Sequence, residues 1–411
     1  MKILVMNAGS SSQKSCLYEV DAEHLPDLPP APLWEAQIDW THQQGVAELK
    51  VTAHATSFKS EIPFEKRAPV VAQMLDTLWS GSTPVIASAS EIDVVGHRVV
   101  HGGQYYQDSV RITPEVKAQI ADLATLAPVH NPVNLEGIEA IEKVLRDVPQ
   151  VAVFDTAFHA RMPDHTALYP VPYEWAEKGI RRYGFHGTSH RYCAQRAAQL
   201  LNRDLKTLRI VTCHLGNGCS LAAVHNGYSI NTTMGFTPLD GLMMGSRSGA
   251  VDPSILLYLM REAGYTADKL EQVLNQNSGL LGVSGVSNDL RLVMQAIEAG
   301  NARAQLALEM YIQRLKQFIG SMIASLGGLD VLIFTAGVGE NAANVRAGAC
   351  EAFAYMGLKL DPEKNSGRPR DQVISSDDST VNVLVIHTQE DWAIAREAWE
   401  LIKAEAIKQQ T

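Results

Sequence analysis

Two stretches far apart in the chain share one plan. Ile3–Val20 reads as an apolar run, a turn of Asn, Gly and Ser (NAGSSSQK), and a second apolar run; Arg209–Val224 reads as an apolar run, the turn HLGNGCS, and a second apolar run. Each predicts a β-hairpin whose tip exposes successive backbone N–H groups, and the pair looks like an internal repeat of shape with little identity. The alternative is two ordinary glycine-rich hairpins. Such turns form anion-binding concavities, and the hydroxyls of Ser10, Ser11 and Ser12 add donors, so phosphate is the expected guest.

The rest of the chain alternates short β-branched runs with segments of helical period. Ile92–Val95, Val151–Phe154, Arg209–Thr212, Val331–Phe334 and Val383–Ile386 predict strands. Asp252-Pro253 supplies an N-cap and a first-turn proline for a helix closing on Gly264. Leu290–Leu326 predicts two helices parted at Gly300-Asn301 and stopped by Gly327-Gly328. Thr388-Gln389-Glu390-Asp391 has the form of a capping box for a terminal helix. The fold class is therefore α/β.

A chain of 411 residues with 46% hydrophobic content can bury a large core, and its length suits two domains. A net charge of -10 argues against non-specific binding to nucleic acid or an anionic membrane, so an anionic substrate must be drawn in by local Arg, Lys or metal. Five scattered cysteines without a C-x-x-C pair suit a reducing compartment. The apolar run after Met1-Lys2 ends at Asn7, too short for an export signal, and no stretch has the length of a membrane span. A cytoplasmic protein is expected.

Several motifs carry candidate chemistry. Lys14 follows the first turn and can supply positive charge, although the P-loop pattern is absent. VLIFTAGVGENAANVR places Gly337 and Gly339 before an expected helix and nearly fits a dinucleotide fingerprint, which keeps an NAD-dependent dehydrogenase as a rival. Asp155 ends a predicted strand, where carboxylates reach active clefts, and equally suits an N-cap. Arg98 is placed just after a strand, where a plain salt bridge is the alternative. Asn231–Pro253 has the glycine content of a loop crossing a functional face and holds an isolated Arg247. His186 and His190, like His97 and His101, have metal-pair spacing, but Gly187 weakens the helix and no third ligand accompanies either pair. A serine hydrolase is disfavoured because GSRSG has Arg at its centre.

Taken together, NAGSSSQK, GHRVVHGG, PVHNP, FDTAFH, YGFHGTSH, HLGNGCS, TTMGFTPLDGLMMGSRSG, FTAGVGEN and TQEDWAIARE follow one another in an order that resembles the acetate kinase (acetokinase) family. The resemblance spans the chain and is weakest in Asp21–Phe64 and Pro362–Thr380. It implies two ribonuclease-H-like domains of the actin and sugar-kinase type flanking a cleft, with residues 1–155 plus a returning helix 393–411 in the first and 156–392 in the nucleotide-binding second. It also implies reversible transfer of the ATP γ-phosphoryl to acetate, giving acetyl phosphate and ADP, with Mg²⁺ (Mn²⁺ able to substitute), in a homodimer. A propionate kinase of the same family is the alternative. A nucleotide-dependent clamp of the actin or Hsp70 kind is the non-catalytic rival, disfavoured by the arginine pair.

By motif matching, the resemblance implies catalytic positions at Arg98, Asp155, His186, Arg247 and His130. Ser10, Ser12 and Lys14 fall at the first phosphate turn, and His214, Asn217 and Gly218 at the second. Asp289, Arg291, Gly337, Val338 and Asn341 fall on the nucleotide side. Val100, Val129, Phe185 and Pro238, with Arg98, surround the acetate methyl, and Asn7 and Glu390 are associated with magnesium. The chain departs from the usual pattern at Val129, Asn231 and Ser246, where Leu, Asp and Thr are common.

Overall fold

In the computed structural model, which describes residues 1–9, 12–128 and 130–410 (409 and 410 by backbone only), the chain divides into two units. The first comprises residues 1–160 and 389 onward, the second residues 161–388. In the first, eight strands form one sheet: β1 (Lys2–Ala8), β2 (Ser12–Glu19), β3 (Trp34–Gln43), β4 (Val46–Ala53), β5 (Thr56–Pro63), β6 (Val94–Val99), β7 (Val110–Arg111) and β8 (Gln150–Phe154). Their order is β5-β4-β3-β2-β1-β6-β8-β7. The second unit has a six-stranded sheet of β9 (Arg209–Leu215), β10 (Cys219–His225), β11 (Tyr228–Thr232), β12 (Val331–Thr335), β13 (Gln372–Val373) and β14 (Asn382–Val385), ordered β11-β10-β9-β12-β14-β13.

The duplication is one of topology. β1 pairs antiparallel with β2 and parallel with β6, which is parallel to β8. β9 pairs antiparallel with β10 and parallel with β12, which is parallel to β14. Each hairpin thus feeds a central strand of its sheet, and that strand is largely apolar because both its faces are covered. Ile3, Leu4 and Val5 are fully buried, as are Ile210, Val211 and Cys213.

Strands β3 to β5 extend the first sheet as an antiparallel meander that the sequence reading did not anticipate. Their burial alternates with period two, and Trp34, Ile38, Leu49 and Val51 pack with Val70, Met74 and Leu75 of the helix Arg67–Asp76. Gly45, at φ 73°, makes the β3–β4 turn.

Strand β6 starts two residues later than expected and continues through Arg98, which is therefore within the strand, level with Val153 of β8. Gly96 lets the terminal helix Glu390–Gln410 approach this strand; a Cβ there would come within 2.8 Å of Ile394. The helix's first turn is tied to the first sheet by Asn7 Nδ2 donating to Asp391 Oδ1 (2.8 Å) and by Trp392 edge-on to Tyr18. The division consequently falls at 388/389 where the sequence reading put 392/393. At the other crossing it falls at 160/161 where 155/156 was expected, since Thr156 Oγ1 accepts from Gly102 N and keeps the residues after β8 with the first sheet.

The cap signals act locally. Asp252 accepts from Ser254 N at the start of Pro253–Glu262, Asn301 from Arg303 N and Ala304 N at the start of Ala302–Leu326, and Gly327 closes that helix at φ 66°. Among the described residues no helix is long and apolar enough to cross a membrane, and none of the five cysteines forms a disulfide.

Candidate active site

Parallel strands deliver their C-terminal ends to one edge of a sheet, and in the first unit Arg98 on β6 and Asp155 after β8 meet there. Arg98 Nε lies 3.0 and 3.1 Å from the two Asp155 oxygens and Nη2 lies 2.5 Å from Oδ2. The Asp155 side chain is 3% exposed and that of Arg98 22%, so the pair is partly withdrawn from water. Burial is the largest single influence on Arg98 and opposes its charge, but Asp155, with Glu390 and Asp391 behind it, outweighs burial and raises its pKa. Asp155 thus clamps an arginine, and the N-cap alternative does not describe its side chain.

Asn7 and Lys14 face each other across the β1–β2 hairpin and so share one side of the sheet. Beside them stand Glu390 and Asp391. Burial raises the pKa of both carboxyls, while Arg98 and Lys14 pull in the other direction. Asp391 was missed by sequence reasoning except as part of a capping box. Its only signal was a second acid next to Glu390. Ser12 lies at the start of β2, its carbonyl accepting from Gly9 N (2.8 Å); Ser10 lies outside the described residues.

A second omission concerns the helix Asn131–Val144. Asn131 bonds both the N–H and C=O of His101, and Asn134 accepts from Val100 N and donates to Ala8 O. These two buried amides fix the segment after Arg98 and the end of β1. His130 is the residue just before that helix; Val129 lies outside the described residues. Val100 is buried.

In the second unit, His214 and Ser220 are opposite one another across the β9–β10 hairpin, with Gly216, Asn217 and Gly218 between the strands. His186 stacks on His214 at 4.1 Å and places Nδ1 2.8 Å from Ser220 Oγ. It has φ 57° and ends the extended segment before the helix Gly187–Leu200, so it and His190 do not sit on one helical face as their spacing suggested. A left-handed conformation at a residue other than glycine is strain of the kind held at functional sites. Phe185 is buried beside it in the chain.

The loop 233–252 has no regular structure yet is anchored through its backbone: Ser278 N to Ser246 O, Leu280 N to Met244 O and Ser248 N to Leu274 O. Gly245 passes so close to Asn217 that a side chain there would collide with the Asn217 amide oxygen. This loop presents Arg247, whose Nη1 donates to Pro238 O (3.3 Å). An added Cβ at Gly218 would lie 3.4 Å from Arg247 Nη1 and 3.6 Å from His186 Nε2, so both side chains flank the second turn. Among the described residues Arg247 has no carboxylate partner. Burial lowers its pKa, and burial likewise pushes that of its neighbour Cys219 up to about 11.

Gly337, Val338 and Asn341 lie within a short helix, Ala336–Asn341, where the sequence reading placed a turn before a helix. Glu340 Oε1 accepts from Ala336 N and closes the turn into a helix, and Glu340 Oε2 meets His387 at 2.7 Å. Buried Arg346 donates to the carbonyls of Gly339 and Glu340, which satisfies the helix's C-terminal end. Asp289 caps the helix Leu290–Glu298 and pairs with Arg291 at 2.5 Å on the surface.

Solved structures share this architecture. A crystal structure of Porphyromonas gingivalis acetate kinase superposes with a TM-score of 0.90 at 44% identity, covering 98% of this chain and 99% of that one. One of a propionate kinase from Francisella tularensis gives 0.88 at 38%, covering 97% and 99%. The fold is of the two-domain actin and sugar-kinase-like class. The chain belongs to the acetokinase family, whose profile matches residues 2–396. Acetate kinases of Gloeobacter violaceus and of Nostoc sp. are 65% and 64% identical to it over 404 residues, each covering 98% of this chain and 100% of the relative.

Proposed function

We propose that the chain is a phosphotransferase that moves the γ-phosphoryl of ATP to acetate, reversibly, giving acetyl phosphate and ADP. The observation that carries the reading is the near-complete overlap with acetate kinases at high identity, and the presence of Arg98 in the first unit and Arg247 in the second gives it a chemical basis. An acetate oxygen attacks the γ-phosphorus, the bond from that phosphorus to the β,γ-bridging oxygen breaks, and ADP takes the electron pair. A carboxylate is already ionised near neutral pH, so no base has to remove a proton. The barrier is repulsion between two anions, and catalysis reduces to positioning and charge neutralisation.

Within that reading Asp155 aligns Arg98 for the carboxylate or the transferring phosphoryl, and Arg247, which has no carboxylate partner among the described residues, is available to the phosphoryl oxygens. His186 stands beside Arg247 at the second turn. His130 contributes a further position. The first unit's turn, with Ser10, Ser12 and Lys14, and the second unit's, with His214, Asn217 and Gly218, take phosphates; the second unit is the nucleotide domain, with Asp289, Arg291, Gly337, Val338 and Asn341 on the adenosine side.

Magnesium is consistent with the donors present. Asn7 spends its amide N–H on Asp391, which turns its carbonyl oxygen to other use, and Glu390 adds a carboxylate; both are hard oxygen donors. Among the described residues no cluster of three protein ligands exists, which suits a cation bound through one carboxylate and substrate phosphates. Bound there, it supplies neutralisation of phosphate charge.

The family resemblance assigns Val100, Val129, Phe185 and Pro238 to the acetate methyl. One methylene more or less in the substrate is worth about 1–3 kcal/mol, so propionate is expected as a slower substrate. A hydroxamate assay with ATP, Mg²⁺ and acetate, propionate or butyrate tests class and substrate together. Acetate should give the highest kcat/KM; ATP hydrolysis without acyl hydroxamate would rule the reading out.

A cytoplasmic homodimer completes the proposal. The helix Pro253–Glu262 buries no side chain and exposes Ile255, Leu257 (50%), Tyr258 (63%) and Met260 around its circumference, apolar surface of the kind that a partner subunit covers. Leu257→Asp is expected to convert a dimer to monomer in light scattering at micromolar concentration. An unchanged mass would place the interface elsewhere.

A further inference from the structure

We propose that Ser220, His190 and Thr212 form a positioning relay that holds a proton on Nδ1 of His186. The proposal deepens the role given to His186 above and rests on that reading only for its effect on turnover. Ser220 is fully buried, and its Oγ lies 2.8 Å from His186 Nδ1 and 2.7 Å from His190 Nε2. The other nitrogen of His190, Nδ1, lies 2.6 Å from Thr212 Oγ1. Among the described residues, the Ser220 side chain bonds only these two rings.

A hydroxyl carries one proton. Ser220 therefore donates to one imidazole and accepts from the other, which couples the tautomers of two histidines. The far end of the chain sets the direction. Thr212 Oγ1 lies 3.4 Å from the carbonyl of Ala222, a group that can only accept. With the Thr212 proton turned there, its oxygen accepts from His190 Nδ1–H. A neutral His190 that donates from Nδ1 has a bare Nε2, which accepts from Ser220. The Ser220 oxygen is then left to accept from His186 Nδ1–H.

The opposite direction fails when His186 becomes charged. Ser220 would then point its proton at His186 Nδ1, which an imidazolium also protonates, and two protons would face each other. Only the first direction serves the neutral and the charged ring alike. A ring that meets an anionic phosphoryl can thus gain charge at Nε2, the edge beside Gly218 and Arg247, with no rearrangement of its partners. Stacking on His214, whose Nδ1 is 2.8 Å from Ser189 Oγ, fixes the ring plane. The relay fixes the proton. The i, i+4 histidine pair thereby has a use that involves no metal: both rings converge on one serine.

The test is long-range ¹H–¹⁵N correlation spectroscopy of histidine-labelled full-length protein, at a pH where the rings are neutral. The expected wild-type spectrum has both His186 and His190 protonated at Nδ1. Thr212→Val removes the anchoring hydroxyl without touching His186, and is expected to move His186 toward the Nε2–H form. It should also lower kcat roughly 10-fold, the low end for an outer partner of a reacting group. KM for ATP should stay within about twofold. Ser220→Ala should cost up to roughly 100-fold, with Ser220→Thr recovering much of it. A wild-type His186 protonated at Nε2 overturns the relay, whether or not any variant folds. A Thr212→Val protein with slowed turnover and an unmoved spectrum overturns it too, since a structural role would do the same. The spectrum is independent of the reaction: Nδ1–H in a protein that forms no acyl phosphate would defeat the functional reading and leave the relay standing.

Discussion

Arg247→Ala is expected to lower kcat by about 10³-fold or more, the range found for a positioned arginine in phosphoryl transfer, with KM for ATP changed only a few-fold. The same substitution should leave stability unchanged or raise it. Arg247 is desolvated without a compensating carboxylate among the described residues, its guanidinium held by the Pro238 carbonyl. Removing such a charge relieves a cost in the free protein. Chemical denaturation alongside the hydroxamate assay checks both halves. Retained turnover would show that Arg247 makes no contact with the transferring group, and a large loss of stability would show that the loop 233–252 depends on it structurally.

Arg98→Ala should produce the opposite pairing of effects. Turnover is again expected to fall by about 10³-fold. Here, however, the substitution strands Asp155, 3% exposed, as a buried carboxylate without its partner, and breaking a buried pair in this way costs about 3–5 kcal/mol. The double variant Arg98→Ala/Asp155→Asn removes that stranded charge. It is expected to recover most of the stability and none of the activity, a non-additivity that a double-mutant cycle measures. Recovery of turnover in the double variant would mean that Arg98 serves the fold and not the reaction.

What could be read from the sequence divides along a physical line. Signals that act within a few residues were legible: the Asp252-Pro253 start, the Asn301 cap, the Gly327 stop and the two hairpins. The apolar runs within β1, β9 and β12 announced central strands because burial on both faces favours apolar side chains at successive positions. The meander β3 to β5 carried its alternation in the open, as in Trp34-Glu35-Ala36-Gln37-Ile38, but fell where the family resemblance is weakest.

Pairings across the chain were not legible. Asn7 and Asp391 are separated by 384 positions, and nothing local to either residue announces the bond. Asn131 and Asn134 look like ordinary first-turn helix residues until His101, Val100 and Ala8 are brought against them. The helix Ala336–Asn341 was read as a turn because glycine lowers helix propensity, and the Glu340 side chain overrides that preference by closing on Ala336 N. His190 illustrates the limit most clearly. Its spacing from His186 was visible as a possible ligand pair, and only the cross-strand position of Ser220 shows what the two rings share.

The route of the chain also has a consequence for synthesis. Glu390, Asp391 and the helix that packs on Gly96 belong to the first unit but are translated after the whole of the second. A nascent chain can therefore pair β1 with β6 and β8 early, yet that sheet lacks the helix that packs on Gly96, and Arg98 lacks two of its acidic neighbours, until these later residues have emerged from the ribosome. The first unit is thus completed only after the second has been synthesised.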